Sequence, residues 1–338
     1  MKFVFITGSS RSGTTMMGRL LGNHQHVFTF PELHFFEQLV SEESFRCPKP
    51  VDIDSLTSVC SRLVNVIKRG YLNSDRISNA LDEESQKIIL NLGISNYQDL
   101  YTKVLPYFIN DPNVQVAVEQ TPRYIFSISA LMEIDGARVV HMVRDPRSVL
   151  VSQKYKWKRK FLGASQLSLF ESIRSFVSYD PIITSLIWRK ATRVAKNNDD
   201  REELLIVKFE SLIASPDSVV DSICKHVGIS YSSDLLLVPV VGSSTRANSS
   251  QLGINAQVID SEFIGVGWFE RRLCEFLCGD EMSRFNYKYR RFSVIEIIFL
   301  TPIFALIGVK TFVKGFIIFL LNRHRYQNVL TSVVRRLF

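Results

Sequence analysis

The chain has 338 residues, of which 46% are hydrophobic, and its formal net charge at pH 7 is +8. That hydrophobic fraction excludes global disorder and suffices for one large domain with an appendage or for two small domains. The basic excess indicates an anionic ligand or surface. However, the sequence has no arginine-rich arm, zinc-finger spacing or RNA-binding signature, so nucleic acid is not an expected partner.

The first predicted element is a strand at residues 3–6, FVFI. Its apolar run ends at Thr7 and Gly8, too early for the 7–15 apolar residues of a signal peptide, so we expect no signal peptide and a cytoplasmic protein. The five cysteines include no CxxC pair, which favours reduced, buried thiols over a zinc site: Cys47, Cys60, Cys224, Cys274 and Cys278.

Strand-like and helix-like stretches alternate along the chain. The apolar runs are continuous, as in strands buried on both faces of a parallel sheet: VFTF at 27–30, VQVAV at 114–118, ARVVHMV at 137–143 and LLIVKF at 204–209. Helical spacing lies between them, at 14–22, 53–69, 97–108, 146–158, 166–198, 216–227 and 268–285. The alternation predicts an α/β fold with a P-loop-like open parallel sheet flanked by helices. His141 lies within an apolar strand, so its side chain is predicted to belong to the core, as are those of Trp188 and Trp268.

The composition changes near residue 290, which predicts a main domain over 1–290 and a hydrophobic, basic helical tail over 291–338. The apolar run 303–321 contains Lys310 and Lys314, and each lysine would cost about 2.5–3.5 kcal/mol at a bilayer centre. Spanning is therefore disfavoured, and a helix or helical hairpin in a membrane interface is favoured. Residues 293–338 carry six Lys or Arg and one acid, a balance that attracts anionic lipid. Packing on the domain or on a second subunit is the alternative.

Residues 8–15, GSSRSGTT, place a glycine-bearing loop between the first strand and a helix. The pattern is that of a Walker A loop, except that Thr14 stands where the lysine belongs. Backbone N–H groups and the helix dipole would still hold an anion. Since the Walker lysine reaches the β- and γ-phosphates, its loss favours a nucleotide with one 5′-phosphate and another transferable group.

A second anion site is predicted after strand 137–143. Arg144 follows this strand, and Ser152 lies two turns into the helix that begins at Pro146. Both residues could hold a second phosphate. Asp145 is interpreted as the cap of that helix rather than as a magnesium ligand.

Two of these segments together resemble the 5′- and 3′-phosphate motifs of sulfotransferases that use 3′-phosphoadenosine 5′-phosphosulfate (PAPS): SRSGTT and VRDPRSVLVS. PELHFFE and VEQTPRYI are similar to stretches of heparan sulfate and bacterial carbohydrate sulfotransferases. The segments that begin VKFESL and GWFERR are weaker similarities, and the resemblance extends from residue 3 to about 287.

The resemblance implies that PAPS is the sulfuryl donor, that no metal is required, and that a particular set of residues forms the site. The 5′ end would be held by Arg11, Ser12, Gly13, Thr14 and Thr15, and the 3′-phosphate by Arg144 and Ser152, with Arg246 in a loop over the nucleotide. The candidate catalytic residues are Glu32 as general base, Arg11, and His34 as a rival base or substrate contact. Gln120 stands where the family often has lysine, which removes a positive charge that Arg123 would have to replace.

Three candidate functions are compared. The first is sulfuryl transfer to a hydroxyl, with the motifs favouring a glycan and the tail favouring a lipid or lipid-linked sugar. The second is a Mg-nucleotide-dependent kinase of a small molecule, against which the absent lysine counts. The third is a membrane-associated nucleotide-binding protein without turnover, against which Glu32, Arg11 and Arg144 count.

Overall fold

The computed structural model describes residues 1–70, 79–162, 168–240, 249–254, 263 and 265–321. Arg246 therefore lies outside the described residues. The chain divides into two compact units, which we call the sheet unit (Met1–Met142 and Asn197–Val238) and the helical unit (Val143–Lys196 and Pro239–Phe338). The predicted boundary near residue 290 stays a prediction.

The sheet unit is built on a five-stranded parallel sheet, which confirms the predicted fold class. Its strands are β1 Lys2–Gly8, β2 Val27–Phe30, β3 Val116–Glu119, β4 Arg138–Val143 and β5 Leu204–Lys208, in the spatial order β2-β3-β1-β4-β5. A short antiparallel pair, β6 Pro239–Val240 and β7 Ser249–Leu252, belongs to the helical unit.

The central strand β1 is buried on both faces, because Val4, Phe5 and Ile6 are fully covered. Its register fixes which loops share the carboxyl edge. Phe5 lies opposite Glu119, and Phe30 also lies opposite Glu119, so the ends of β2 and β3 are level. Successive strands are added on both sides of β1, an arrangement that creates a ligand-binding crevice at the carboxyl edge of open α/β sheets.

The α-helices are α1 Thr14–Gly22, α2 Glu42–Arg46, α3 Ile53–Arg69, α4 Asn79–Leu92, α5 Tyr97–Tyr107, α6 Ile128–Met132, α7 Pro146–Lys154, α8 Leu169–Ser178, α9 Pro181–Lys196, α10 Phe209–Ala214, α11 Pro216–Val227, α12 Trp268–Arg284 and α13 Val294–Leu321. Shorter helical turns are Phe35–Leu39, Pro122–Ser127, Lys156–Leu162 and Ser233–Leu236. In the sheet unit α1 packs on β1, β2 and β3, and α11 packs on β5.

Two predicted helices differ from those observed. Two helices, α8 and α9, stand where one was predicted over 166–198, and Asp180 caps the second: its Oδ1 accepts from the backbone N–H groups of Ile182 and Ile183, each over 3.0 Å. Pro181 fits the first position of α9, where no N–H is needed. The helix expected over 146–158 ends at Lys154, and α4 had no sequence prediction.

The helical unit packs α12 against α9 and α7. Cys274, Cys278 and Trp188 are buried, as predicted. Trp268 is 49% exposed, so the prediction that it belongs to the core is wrong. It stands at the first position of α12 and packs edge-on against Phe269, which is also exposed. Burial of the cysteines is confirmed for all except Cys47, which is half-buried.

The C-terminal helix α13 exposes most of the apolar side chains of its segment Val294–Val313. Leu300 is buried, whereas its neighbours Ile298 and Phe299 are 65% and 73% exposed. By length and composition, its segment Val294–Val313 is the one helix among the described residues that is long and apolar enough to cross a membrane. The predicted apolar helical appendage is therefore present.

Candidate active site

The loop after β1 requires glycine at two positions. A Cβ on Gly8 would lie 2.6 Å from the carbonyl oxygen of Met142, and a Cβ on Gly13 would lie 2.6 Å from the ring of Phe209. Gly13 also has φ of +98°, a left-handed conformation that favours glycine. The two glycines let the loop pass close to β4 and α10 before α1 begins.

Hydroxyl groups and backbone donors line this loop. Ser9 Oγ and Ser12 Oγ lie 2.6 Å apart and share a hydrogen bond, and the Ser12 N–H donates to Ser9 O. The N-cap residue of α1 is Gly13, which has no side chain to cap the helix, and in the first turn Thr14 is buried and Thr15 is exposed. Arg11 is half-buried with φ of +75°. The first-turn N–H groups of a helix have no intrahelical acceptor, and with the helix dipole they favour an anion.

Glu32 and His34 form a pair beyond the end of β2. His34 Nε2 lies 3.2 Å from Glu32 Oε2; the histidine side chain is 10% exposed and the glutamate side chain 41% exposed. His34 has φ of +52°, which turns the chain into the helical segment Phe35–Leu39. The pair therefore combines a solvent-accessible carboxylate with a largely buried imidazole.

The turn that carries this pair is held by side chains from the end of β3. The Leu33 N–H donates to Glu119 Oε1 over 3.0 Å and to Thr121 Oγ1 over 3.1 Å. Thr121 Oγ1 donates in turn to Glu119 Oε1. The Phe35 N–H donates to the Tyr124 hydroxyl over 2.8 Å. Thr121 and Tyr124 were not singled out from the sequence, although both lie in the VEQTPRYI stretch that carried part of the resemblance.

Glu119 is a buried acid with an ionisation that depends on its surroundings. Burial raises its pKa to about 7, against the opposing effects of the Thr121 and Leu33 hydrogen bonds and of nearby His34. Among the described residues its Oε2 has no hydrogen-bond partner. An unpaired buried oxygen is costly when charged, so the protonated form is favoured.

Gln120 lies against α1. A Cβ on Gly18 would be 2.6 Å from Gln120 Oε1, and within the described part of the chain this oxygen is buried without a hydrogen-bond partner. Glycine at position 18 thus provides the space that the glutamine occupies. The residue supplies no positive charge at this point of the sheet edge.

Arg144 and Ser152 belong to the helical unit, at the start and near the end of the α7 region. The carbonyl oxygen of Arg144 accepts from Trp188 Nε1 over 2.8 Å, which fixes the main chain at this arginine. Ser152 is buried on α7. The candidate residues Arg11–Thr15, Glu32 and His34 belong to the sheet unit.

Asp145 caps α7, as the sequence predicted. Its Oδ1 accepts from the Arg147 N–H over 2.9 Å, and both carboxylate oxygens accept from the Arg147 guanidinium. Arg147 also donates to Glu275 Oε1 over 3.0 Å. The two carboxylate oxygens of Asp145 thus form the helix cap and a buried ion pair. These contacts account for the residue, and no metal-binding role is needed.

His141 has a partner in the core, consistent with its predicted structural role. Its Nδ1 and Thr7 Oγ1 lie 3.0 Å apart and share a hydrogen bond between β4 and β1. Burial lowers the pKa of His141 to about 3, so the ring is neutral at physiological pH. This histidine ties two strands together.

Comparison with known proteins identifies the family. A sequence model described as "Sulfotransferase family" matches residues 4–233, more than half of the chain. The 3-beta-hydroxysteroid sulfotransferase of Cavia porcellus is 28% identical over 92 residues, which are 27% of this chain and 31% of that protein. The matched segment thus spans about a third of that relative's length.

Solved structures are similar in fold. The sulfotransferase domain of the olefin synthase from Synechococcus PCC 7002 is 17% identical, with 86% of this chain and 96% of that domain covered, at a TM-score of 0.53. A sulfotransferase domain from the curacin biosynthetic pathway covers 85% of this chain and 98% of that domain, at 17% identity and a TM-score of 0.49. With the parallel sheet, the glycine-bearing loop after β1 and the family match over residues 4–233, the chain belongs to the sulfotransferase family of transferase enzymes.

Proposed function

We propose that this sulfotransferase takes the sulfuryl group of PAPS and transfers it in line to a hydroxyl of a carbohydrate or glycolipid, with Glu32 as general base. The contact between Glu32 and His34 carries the proposal, because it sets an accessible carboxylate beside an imidazole that orients it. A carboxylate in this position can accept the proton of an attacking hydroxyl.

The loop residues suit the 5′ end of the donor. Arg11, Ser12, Gly13, Thr14 and Thr15 would surround the 5′-phosphosulfate, with hydroxyl and guanidinium donors added to the N–H groups of α1. Arg144 and Ser152 would hold the 3′-phosphate, and Arg246 would cover the nucleotide. PAPS, when bound, supplies the sulfuryl group, and no metal is required.

The chain's own residues divide the chemical work. Glu32 accepts the proton of the acceptor hydroxyl, and His34 keeps the carboxylate oriented through Nε2. Arg11 and the first-turn N–H groups of α1 stabilise the negative charge that develops on the leaving phosphate. Glu119 holds the backbone of the turn at Leu33, between Glu32 and His34.

The proposed acceptor class is linked to the proposed position of the C-terminal tail at a membrane. We propose residues 1–290 as the PAPS-binding catalytic part and 291–338 as a tail that lies in a membrane interface on the cytoplasmic side. The exposed apolar side chains of α13 support this, together with the basic residues at the end of the chain. A tail of this kind keeps the enzyme at the surface where a glycolipid hydroxyl is presented.

The first test is calorimetric titration of the protein with adenosine 3′,5′-bisphosphate, the product left by PAPS, and with ATP, each in EDTA and in Mg²⁺. We expect binding of the bisphosphate that does not change with the metal. Mg²⁺-dependent binding of ATP without a bisphosphate signal would replace this function with that of a kinase. Binding of bisphosphate without sulfation of any hydroxyl acceptor would support a nucleotide-binding protein without turnover.

A further inference from the structure

Helix α8 presents an apolar stripe to solvent. Leu169, Ile173, Phe176 and Val177 are between 53% and 62% exposed, and their spacing places them on one face of the helix. Phe161, from the preceding helical turn Lys156–Leu162, is 63% exposed. We call these five side chains the α8 surface. Monomeric soluble proteins rarely leave such contiguous apolar patches uncovered.

The turn beside this surface is basic and aromatic. Trp157 packs edge-on against Phe161 and Phe176, with ring centroids 6.2 and 5.9 Å apart. Residues 156–160 read KWKRK, with four basic residues and no acid, whereas the preceding Lys154 pairs with Glu270 over 2.7 Å. Lys158 Nζ lies 4.3 Å from the centre of the Tyr155 ring. Aromatic rings with lysines around them are typical of the region between lipid headgroups and acyl chains.

The corner that follows α8 contacts the exposed helix α13. Asp180, two residues beyond the end of α8, accepts from Thr311 Oγ1 over 2.6 Å through its Oδ2. At the next turn, a Cβ on Gly308 would lie 4.0 Å from Ile182 Cδ1. Helix α13 therefore contacts the corner between α8 and α9, within the helical unit.

We propose that the α8 surface and the basic turn Lys156–Leu162 form a second membrane-contact site, which binds a bilayer that contains anionic lipid. The proposal rests on the interfacial role proposed above for α13. The positive charge of the turn selects the occupant, because each lysine near an anionic bilayer adds attraction that a neutral protein partner does not provide. With two contacts, the helical unit is held against the membrane in one orientation.

The first test measures co-sedimentation of the full chain with vesicles of phosphatidylcholine, alone or mixed with phosphatidylglycerol. We expect Ile173→Ser/Phe176→Ser to weaken binding about tenfold on both vesicles. Lys158→Gln/Lys160→Gln should weaken it about 20-fold on the anionic vesicles and much less on the neutral ones. Leu90→Ser and Lys49→Gln, exposed residues of the sheet unit, are the matched controls and should bind as the wild type.

The second test locates the contact by quenching of tryptophan fluorescence with brominated lipid. Trp188 is 1% exposed and contributes little, so the half-buried Trp157 and the exposed Trp268 dominate. We expect Trp157→Phe to remove most of the quenching and Trp268→Phe to leave it. Equal quenching in Trp157→Phe and the wild type would overturn the proposal.

Three outcomes bear on this site and on α13. In the first, Val309→Glu/Phe312→Glu abolishes vesicle binding while Ile173→Ser/Phe176→Ser and Lys158→Gln/Lys160→Gln leave it unchanged. That result would overturn the α8 site and leave the role of α13 intact. A wild type that binds neither vesicle would overturn both. If the α8 variants change only the association state measured by light scattering, the surface is covered by a second copy of the chain, and the lipid proposal is wrong.

Discussion

The backbone N–H of Leu33 donates to Oε1 of Glu119 over 3.0 Å, which joins the turn after β2 to the last residue of β3. Leu33 lies between the proposed base Glu32 and its partner His34 in the sequence. A buried acid on one strand thus determines the backbone position of two candidate catalytic residues on the next. Displacing this acid should alter catalysis without removing any group that touches the substrate.

The ionisation of Glu119 gives a prediction for stability. Burial raises its pKa from 4.5 to about 7, so between these values the folded protein holds a proton that the unfolded chain releases. The stabilising effect is complete below about pH 4.5 and is lost as pH rises through about 7, at a cost on the order of 3 kcal/mol. Glu119→Gln should therefore show a smaller fall in melting temperature from pH 5 to pH 8 than the wild type.

Glu119→Gln retains a carbonyl oxygen for the Leu33 N–H, so the turn is preserved and only the titration is removed. Glu43→Gln, at an exposed position in α2, is the control and should keep the wild-type pH dependence. Identical slopes of melting temperature against pH for Glu119→Gln and the wild type would mean that Glu119 is already ionised in the folded protein at neutral pH.

The proposed base gives a kinetic prediction. Glu32→Gln should lower the rate of sulfation by about 10²- to 10⁴-fold, because the amide cannot accept the hydroxyl proton. The affinity for adenosine 3′,5′-bisphosphate should change little, since Glu32 is assigned no contact with it. Both quantities are measured on the same preparation, by turnover with PAPS and by calorimetry.

His34→Gln distinguishes the two candidate bases. If His34 only orients Glu32, its loss should lower turnover by less than the loss of Glu32 and leave nucleotide affinity unchanged. A larger loss in His34→Gln than in Glu32→Gln would transfer the role of base to the histidine. Glu43→Gln again serves as the control for loss of an exposed carboxylate.

The glycine-bearing loop after β1 gives a fourth prediction. In Gly13→Ala the new Cβ meets the Phe209 ring at 2.6 Å and the backbone stays at φ of +98°. We expect destabilisation of about 1–3 kcal/mol and loss of bisphosphate binding. Gly136→Ala is the matched control, because its φ is +66° and no atom lies within 4 Å of the added Cβ. It should lower stability modestly and leave binding intact; equal effects on binding would show that strain in the loop is not the cause.

The strands and the loop after β1 could be predicted because their signals are local. Continuous apolar runs mark strands buried on both faces, and Gly8 and Gly13 are separated by the spacing of a phosphate loop. The break before Pro181 also had a local signal in Asp180 and the proline, which the apolar periodicity of 166–198 obscured.

The remaining features depend on contacts between distant parts of the chain. The burial of Glu119 requires the turn at Leu33 to close over it, and the ion pair of Arg147 with Glu275 joins residues 128 positions apart. Apolarity suggested a core position for Trp268, whereas its exposure depends on which part of α12 is covered. Such facts follow from packing between elements and leave no pattern in a short window.

The contact between α13 and the rest of the helical unit gives the last prediction. Thr311 Oγ1 donates to Asp180 Oδ2 over 2.6 Å, and a hydrogen bond to a charged group contributes about 1.5–3 kcal/mol. Thr311→Val keeps the shape of the side chain and removes the donor. We expect amide exchange along α13 near this residue to become at least tenfold faster, as measured by mass spectrometry. Thr301→Val is the control, because the Thr301 hydroxyl donates only within the helix, to Ile297 O over 2.6 Å. Equal exchange in both variants would mean that Asp180 does not anchor α13. Faster exchange in Thr311→Val alone would instead identify this bond as the anchor that joins the exposed helix to the corner between α8 and α9.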